Sequence, residues 1–522
     1  MQKSLTALVV AVPLVLWHLL KPNKSLPLPP GPPKRFLTGN LHQLPTVKQW
    51  LVYAEWSKQY GPIMTLQILN RVTILITSAK VALDLLDARA SIYSSRPWTW
   101  MLHDLAGNGS SMFSLSSQDP RFPRYRKMLV AGMNKRAVGR YRPVLEAALK
   151  EFLRNIATRP DNYESVLTTY SGGVALKIAY GYDITEPVED DFFVQLIEGG
   201  EGTVPSLVQP FFFVEAFPFL RFLPKWFPLA TFHRIAAAKK KILDAMVYVP
   251  NEWAKKKLET NPSDSSFFSE HYFAKEDGGS LSKTEADDLM WTAGAIYTGG
   301  AHTTSSAIAT FLLLISSHAQ VQARAREEID RVVGRGRLVN SDDRAAMPYL
   351  AAILKETLRW APPVPQGLRH AVIQDDIYNG YLIPKGSAVI ANIWAITHDA
   401  EMYPKPFEFD PSRFLGDTPQ RDPAELFLLS QTFLLADIVV SFVFGFGRRV
   451  CPGATLAEES VFLAAANLLA LFDIKKALDT AGREVDPMES LDWRTGLVTI
   501  PLNFKFRLVP RSADTLAAMI DG

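Results

Sequence analysis

One ten-residue stretch constrains this chain more than any other. It reads Phe444-Gly445-Phe446-Gly447-Arg448-Arg449-Val450-Cys451-Pro452-Gly453, and an apolar helical run over 454–472 follows at once. Proline suits a first helical turn. Cys451 is therefore placed at a helix N-terminus, where the dipole and free N–H groups stabilise a thiolate. Glycines at 445, 447 and 453 let the backbone fold tightly, so that amides can point at the sulfur. Arg449 puts a cation two residues from the thiol, suited to a carboxylate. Cys451 is the single cysteine in 522 residues, so no intrachain disulfide is possible and the chain fits a reducing compartment. A lone cysteine is also commonly a small buried apolar residue.

Composition narrows the class. Hydrophobic residues make up 48% and charged residues 21%, which describes a packing chain rather than a disordered one. The net charge of +3 is small for this length and gives no support for general nucleic-acid binding, which needs a concentrated basic face.

The first thirty residues set the expected location. Residues 5–20 are apolar apart from Thr6 and His18. Lys21, Lys24, Lys34 and Arg35 follow that run, and only Lys3 precedes it, so the positive-inside rule puts the body on the cytoplasmic side. No small-x-small cleavage site follows, which favours a retained anchor over a cleaved secretory signal. Pro27-Leu28-Pro29-Pro30-Gly31-Pro32-Pro33 reads as a stiff spacer, because proline fixes φ and removes donors. The expected organisation is a membrane anchor over 1–26, a proline-rich hinge to 34, and a single catalytic domain over 35–522.

Within the body, 63–69 and 72–77 read as a hairpin joined at Asn70-Arg71, and 79–90 reads as helix. Most of 118–361 shows the 3.6-residue period, including a long helical stretch over 283–317. Strand character returns at 377–383, 388–390 and 497–509. The fold class is mainly α with a minor β region. Residues 204–232 hold nine phenylalanine and tryptophan rings broken by prolines. They suit either a core connection or an aromatic surface that dips into a bilayer, with Arg221 and Lys225 at headgroup level.

Three further motifs share the chain with the cysteine loop. Glu356 and Arg359 stand at i, i+3 on one helical face, and Arg413 lies in Pro411-Ser412-Arg413-Phe414. Gly299-Gly300-Ala301-His302-Thr303-Thr304 sits inside the long helical stretch. Together these residues resemble the cytochrome P-450 superfamily, whose pattern Phe-x-x-Gly-x-Arg-x-Cys-x-Gly is matched by Phe444, Gly447, Arg449, Cys451 and Gly453. The proline hinge and motif spacing are similar to fungal microsomal members of the O-methylsterigmatocystin oxidoreductase-like group.

The resemblance implies the haem-thiolate monooxygenase fold, with Cys451 as axial ligand of a haem b iron. A thiolate ligand pushes electron density onto iron and favours O–O cleavage. Phe444, Gly447, Arg449 and Gly453 would form the cofactor loop, with Arg126 and His370 as further propionate partners. Glu356, Arg359 and Arg413 would form a buried triad that holds this loop. Gly300 would leave room for oxygen by loosening the helix, and Thr303 would support proton delivery. Two departures stand out. The family's acid before that threonine is His302 here, and histidine relays protons near neutral pH without a permanent negative charge. The family's Trp-x-x-x-Arg is Phe122-Pro-Arg-Tyr-Arg126 here. In addition, the apolar stretch 426–440 is foreign to the pattern and reads as an added helix, a bulge or translated intron.

The implied reaction inserts one oxygen atom of O₂ into a lipophilic small molecule. Electrons would come from NADPH through an NADPH-cytochrome reductase in the endoplasmic reticulum membrane, since the chain shows no flavin or dinucleotide module. Expected pocket walls are 98–113, 204–217, 293–303, 363–368 and 495–499. The alternatives are a haem-thiolate isomerase or dehydratase, against which Thr303 and Thr304 argue, and a catalytically degenerate haem-binding paralogue, for which His302, Phe122 and the 426–440 insertion argue.

Overall fold

The computed structural model describes residues 26–184, 191–200, 202–208, 211–228, 230–260, 265–273, 281–424, 427–428, 439–440 and 442–512. The expected anchor lies outside the described residues, apart from its last residue. The longer helices are α1 (Gln49–Tyr60), α2 (Arg121–Met133), α3 (Arg142–Thr158), α4 (Tyr163–Tyr180), α5 (Thr231–Thr260), α6 (Lys283–Ser317), α7 (Ala319–Val332), α8 (Pro348–Trp360) and α9 (Ala454–Leu471).

Helix α6 is the spine. A capping box starts it: the Ser282 hydroxyl accepts from the Glu285 N–H and the Glu285 carboxylate accepts from the Ser282 N–H. Residues 307–315 read AIATFLLLI, apolar on every side, so this half must be buried all round. It is: Phe311, Leu312, Leu313 and Ile315 are fully enclosed. They share one core with Leu167 and Leu176 of α4 and Phe462, Leu463 and Leu468 of α9. Each such side chain contributes about 1.5–3 kcal/mol by leaving water. Helix α9 is long and apolar enough to cross a membrane, but most of it is buried in this core.

The strands gather at the edges. The hairpin β1 (Ile63–Ile68) and β2 (Arg71–Ile76) pairs antiparallel, and β2 continues in parallel to β6 (Ala388–Ala391), which pairs with β3 (His370–Ala371). The hairpin β4 (Asp376–Tyr378) and β5 (Tyr381–Ile383) stands apart, as does β7 (Phe427–Leu428) with β8 (Val439–Val440). A second sheet runs β10 (Glu484–Val485), β9 (Phe472–Leu478), β13 (Phe506–Pro510), with the pair β11 (Asp492–Arg494) and β12 (Ile500–Leu502) nearby.

Several expectations shift. The β1–β2 turn falls at Leu69-Asn70, with Leu69 at φ 51°, one residue before the expected dipeptide. The helix expected over 79–90 breaks into Ala79–Ala82, a wide turn at Leu83–Asp87 and Ala90–Tyr93, because the Ala88 N–H reaches five residues back to the Leu83 carbonyl. The strand expected over 497–509 divides at Asn503, which takes φ 61°. Gly453 caps α9, so Pro452 precedes that helix instead of opening it. The helix expected to loosen at Gly300 is continuous α over its whole length. Of the insertion 426–440, only the ends that pair as β7 and β8 belong to the described residues, and the expected helix lies outside them.

The aromatic segment resolves toward the surface. Phe222 and Trp226 are 75% and 80% exposed, and Phe213, Phe217 and Phe219 also face out. Phe232 points inward with Met101, Leu102, Leu207 and Val214, in a small core separate from the main one.

Candidate active site

The loop before α9 is shaped by contacts from outside it. Gly445 and Gly447 take φ 89° and 53°, in the region that favours glycine. A Cβ on Gly447 would stand 2.3 Å from the Leu86 carbonyl oxygen, so only glycine fits against the wide turn. The buried Asp87 carboxylate accepts from the Gly447 N–H, and burial pushes this carboxyl up to about 7. Gly447 thus holds the loop against its neighbours and, unlike Phe444, Arg449, Cys451 and Gly453, does not line the cavity.

The Cys451 N–H donates to the Phe444 carbonyl at 2.8 Å, closing the loop on itself. The thiol faces a cavity of about 2280 Å³. Ordinary small-molecule sites run to about 1,000 Å³, so this one has room for a large planar group and a substrate together. Although exposed to the cavity, the thiol lies deep in the protein, and burial pushes it up. The Gly453 N–H and Arg126 pull it back down.

One wall of this cavity is cationic. Arg126, from α2, donates to the Val450 carbonyl at 2.6 Å, beside the cysteine. Arg449 is buried and donates to the carbonyls of Ser94 at 2.7 Å and Leu115 at 2.5 Å. Its guanidinium lies 4.0 Å from the Phe122 ring centre, so Phe122 keeps an aromatic face where the family has tryptophan, without the indole N–H. Arg96 donates to the carbonyls of Leu368 and Arg369, and its buried Nε has no partner among the described residues. Burial first, then the neighbouring charges of Arg96 and Arg126, press Arg449 down to about 8. His370 is a buried strand residue, not a surface loop histidine; its Nδ1 lies 2.8 Å from the Tyr93 carbonyl. Burial first, then Arg96 and Arg449, push His370 down to about 3, so it is neutral. A group carrying carboxylates fits this wall by charge and by the orphaned Arg96 donor. Arg96 had no motif to mark it; the signal available was an arginine before Pro97 in an otherwise uncharged run.

Helix α6 lines the same cavity with Thr298 to Thr304. The Thr303 hydroxyl donates to the Gly299 carbonyl at 2.9 Å. Gly300 serves close packing: a Cβ there would stand 3.0 Å from the Ala175 Cβ of α4. Ser171 of α4 donates to the Ala301 carbonyl between them. His302 is half-buried and faces the cavity. All five expected wall segments contribute residues, among them Trp98, Val204, Ala295, Val364 and Leu497.

The triad forms as expected. Glu356 accepts from Arg359 Nε at 2.6 Å and from Arg413 Nε at 3.1 Å, with all three side chains buried.

A mainly helical body with one thiol facing a cation-walled cavity under a long helix defines a haem-thiolate class of protein. Comparison with known families agrees. The family model for cytochrome P450 matches residues 29–508. The chain is 35% identical over 492 residues to cytochrome P450 monooxygenase claR of Ampulloclitocybe clavipes, covering 93% of this chain and 87% of that one. It is likewise 35% identical over 515 residues to cytochrome P450 monooxygenase 176 of Postia placenta, covering 97% and 95%. Cytochrome P450 monooxygenase COX1 of Coprinopsis cinerea is 35% identical over 512 residues, covering 95% and 94%. The chain belongs to the cytochrome P450 family, and is an oxidoreductase that incorporates molecular oxygen. The family's cofactor is haem held by a cysteine thiolate.

Proposed function

We propose that this is a membrane-anchored monooxygenase of lipophilic small molecules, with Cys451 as the axial ligand of haem b. The observation that carries the reading is the single thiol facing a cavity whose adjoining wall holds Arg96, Arg126, Arg449 and His370. The overall change is RH + O₂ + NADPH + H⁺ → ROH + H₂O + NADP⁺, with a separate membrane-bound NADPH-cytochrome reductase supplying both electrons. When bound, haem supplies oxygen activation.

The chain's own residues supply the rest. Arg96, Arg126 and Arg449 would hold propionates, and neutral His370 would offer its second ring nitrogen. The Thr303 hydroxyl has one donor and two acceptor sites. With its donor on Gly299, its acceptor sites can order a cavity water, and rotation presents the proton. His302, which also borders the cavity, would pass protons to that water. The apolar residues of the five wall segments would exclude bulk water and select lipophilic substrates.

The body would sit on the cytoplasmic face of the endoplasmic reticulum membrane. The outward rings of Phe213, Phe219, Phe222 and Trp226 support a second lipid contact beside the anchor. The subgroup resemblance supports a role in secondary metabolism. The test is NADPH consumption by the purified full chain reconstituted with a fungal reductase in vesicles. Lipophilic compounds should raise consumption and yield hydroxylated product; a panel that binds but yields no product would refute the monooxygenase assignment.

A further inference from the structure

The outward-facing aromatic segment is the outer skin of a roof that packs mainly on itself. Its inner side chains, Val214 and Leu220, join Met101, Leu102, Leu207 and Phe232 in the small core that stands apart from the main one. Arg221 strengthens the roof from within, 4.1 Å from the Trp100 ring centre and 3.8 Å from Asp104. Glu215 does so too: its buried carboxylate accepts from the Trp100 N–H at 3.1 Å and the Met101 N–H at 2.9 Å.

The roof meets the β1–β2 hairpin at a polar seam. Arg71 pairs with the Glu215 carboxylate at 3.0 Å. The same guanidinium donates to the Glu215 carbonyl at 2.9 Å and the Trp98 carbonyl at 3.0 Å. Asn70 donates to the Ala216 carbonyl at 3.4 Å. Asn70, Arg71, Trp98, Thr99 and Glu215 all line the cavity, so the seam is part of its wall. One side of it is fixed in a sheet, and the other belongs to a unit with its own core. Parting the two would break these four contacts at one place while leaving both cores intact.

We propose that the Arg71–Glu215 pair is a size-selective latch: it determines which ligands reach the cavity, because bulky lipophilic molecules pass between roof and hairpin while diatomic ligands do not need that seam to part. A charge pair suits the task. Its contacts are directional and are lost after a short displacement, whereas apolar packing yields gradually. Its place under the outward rings means that a lipophilic molecule held on that face stands beside the seam. The latch presupposes the haem-thiolate reading, and the test separates the two.

The holoenzyme is mixed with 4-phenylimidazole, and association is followed by the haem absorbance in a stopped-flow instrument. Carbon monoxide rebinding to the reduced protein after a flash provides the small-ligand control. Arg71→Gln and Glu215→Gln should each speed association of 4-phenylimidazole about tenfold, the change that loss of about 1.4 kcal/mol from a barrier produces. Carbon monoxide rebinding should stay within about twofold, well under that factor. The two glutamine variants together should show no further gain, since one pair is lost either way. Unchanged association of 4-phenylimidazole in both variants overturns the latch. So does an equal acceleration of both ligands, which signals general loosening. If the wild-type protein shows no haem absorbance, the haem-thiolate reading has failed instead.

Discussion

Removal of the Glu356 carboxylate tests how the fold holds its cysteine loop. Glu356 and Arg359 have no exposed surface, and Arg413 has little. The Glu356 carboxylate accepts four hydrogen bonds: two from Arg359 at 2.6 and 2.9 Å, one from Arg413 at 3.1 Å and one from the Asp410 N–H at 2.9 Å. Glu356→Ala therefore leaves two buried guanidinium groups without their anion. Breaking a buried pair from one side costs about 3–5 kcal/mol. The unpaired Asp410 N–H adds about 1 kcal/mol or more. The guanidinium groups are not left bare, because Arg359 keeps the carbonyls of Thr397 and Pro406, and Arg413 keeps Pro404 and Gln420, which holds the cost within the middle of that range. A loss near 4 kcal/mol is thus expected, against a total stability of about 5–15 kcal/mol for a folded protein. The assay is urea unfolding followed by haem absorbance and circular dichroism, with Glu55→Ala as the control. Glu55 forms an exposed pair with Lys58, so its loss should cost less than about 1 kcal/mol. If Glu356→Ala unfolds at the same urea concentration as Glu55→Ala and keeps a full complement of haem, the triad does not hold the fold.

Three further outcomes are expected. His302→Asp should give more product per NADPH and less hydrogen peroxide, and His302→Ala should leak more peroxide and lose up to about a hundredfold in product formation, the scale of a lost general acid; unchanged coupling in both variants removes His302 from proton delivery. His398 is pushed down to about 3 by burial and then by Arg359, so below its ordinary value of about 6.5 the unfolded chain takes a proton that the folded chain refuses. Stability should then fall as pH drops from about 6.5 toward 3. His398→Phe, which can keep the stack on Trp394 now at 4.1 Å, should lessen that fall, and an equally steep acid limb in the variant would contradict the assignment. Serines at Phe222 and Trp226, in a chain lacking residues 1–26, should cut partition into phospholipid vesicles at least about tenfold, since each buried ring is worth about 1.5–3 kcal/mol; equal partition would place the lipid contact elsewhere.

The sequence showed the spine of the fold because local and global signals agree there. Helix α6 occupies Lys283–Ser317, the stretch its period marked out, with a capping box at one end and an all-round apolar run at the other. The Glu356, Arg359 and Arg413 triad was legible through the family resemblance: the i, i+3 spacing pairs Glu356 with Arg359, but nothing local brings Arg413 to them from 54 positions beyond Arg359. What stayed hidden depends on distant partners. Gly447 was expected in the cofactor loop, and the reason it must be glycine there is the Leu86 carbonyl, which no local pattern reveals. Arg96 joins the cationic wall only because the fold brings residues 94–96 against Arg449. Prolines interrupt the aromatic segment, so no period could tell which rings face out. Its buried carboxylate, Glu215, answers to Trp100 and Arg71, more than a hundred positions earlier. Asn503 bent one expected strand into two through a single left-handed residue, a choice open to asparagine at many positions where it is not taken.

The measurement that bears most directly on the centre is the carbon monoxide difference spectrum of the reduced protein, taken on the wild type and on Cys451→Ser. The serine keeps the loop's size and removes the soft ligand. The expected result is a Soret band in the thiolate position for the wild type and none there for Cys451→Ser, even in preparations that retain haem. A thiolate-position band that survives the substitution would contradict the assignment of Cys451, because the chain has no second cysteine to provide it.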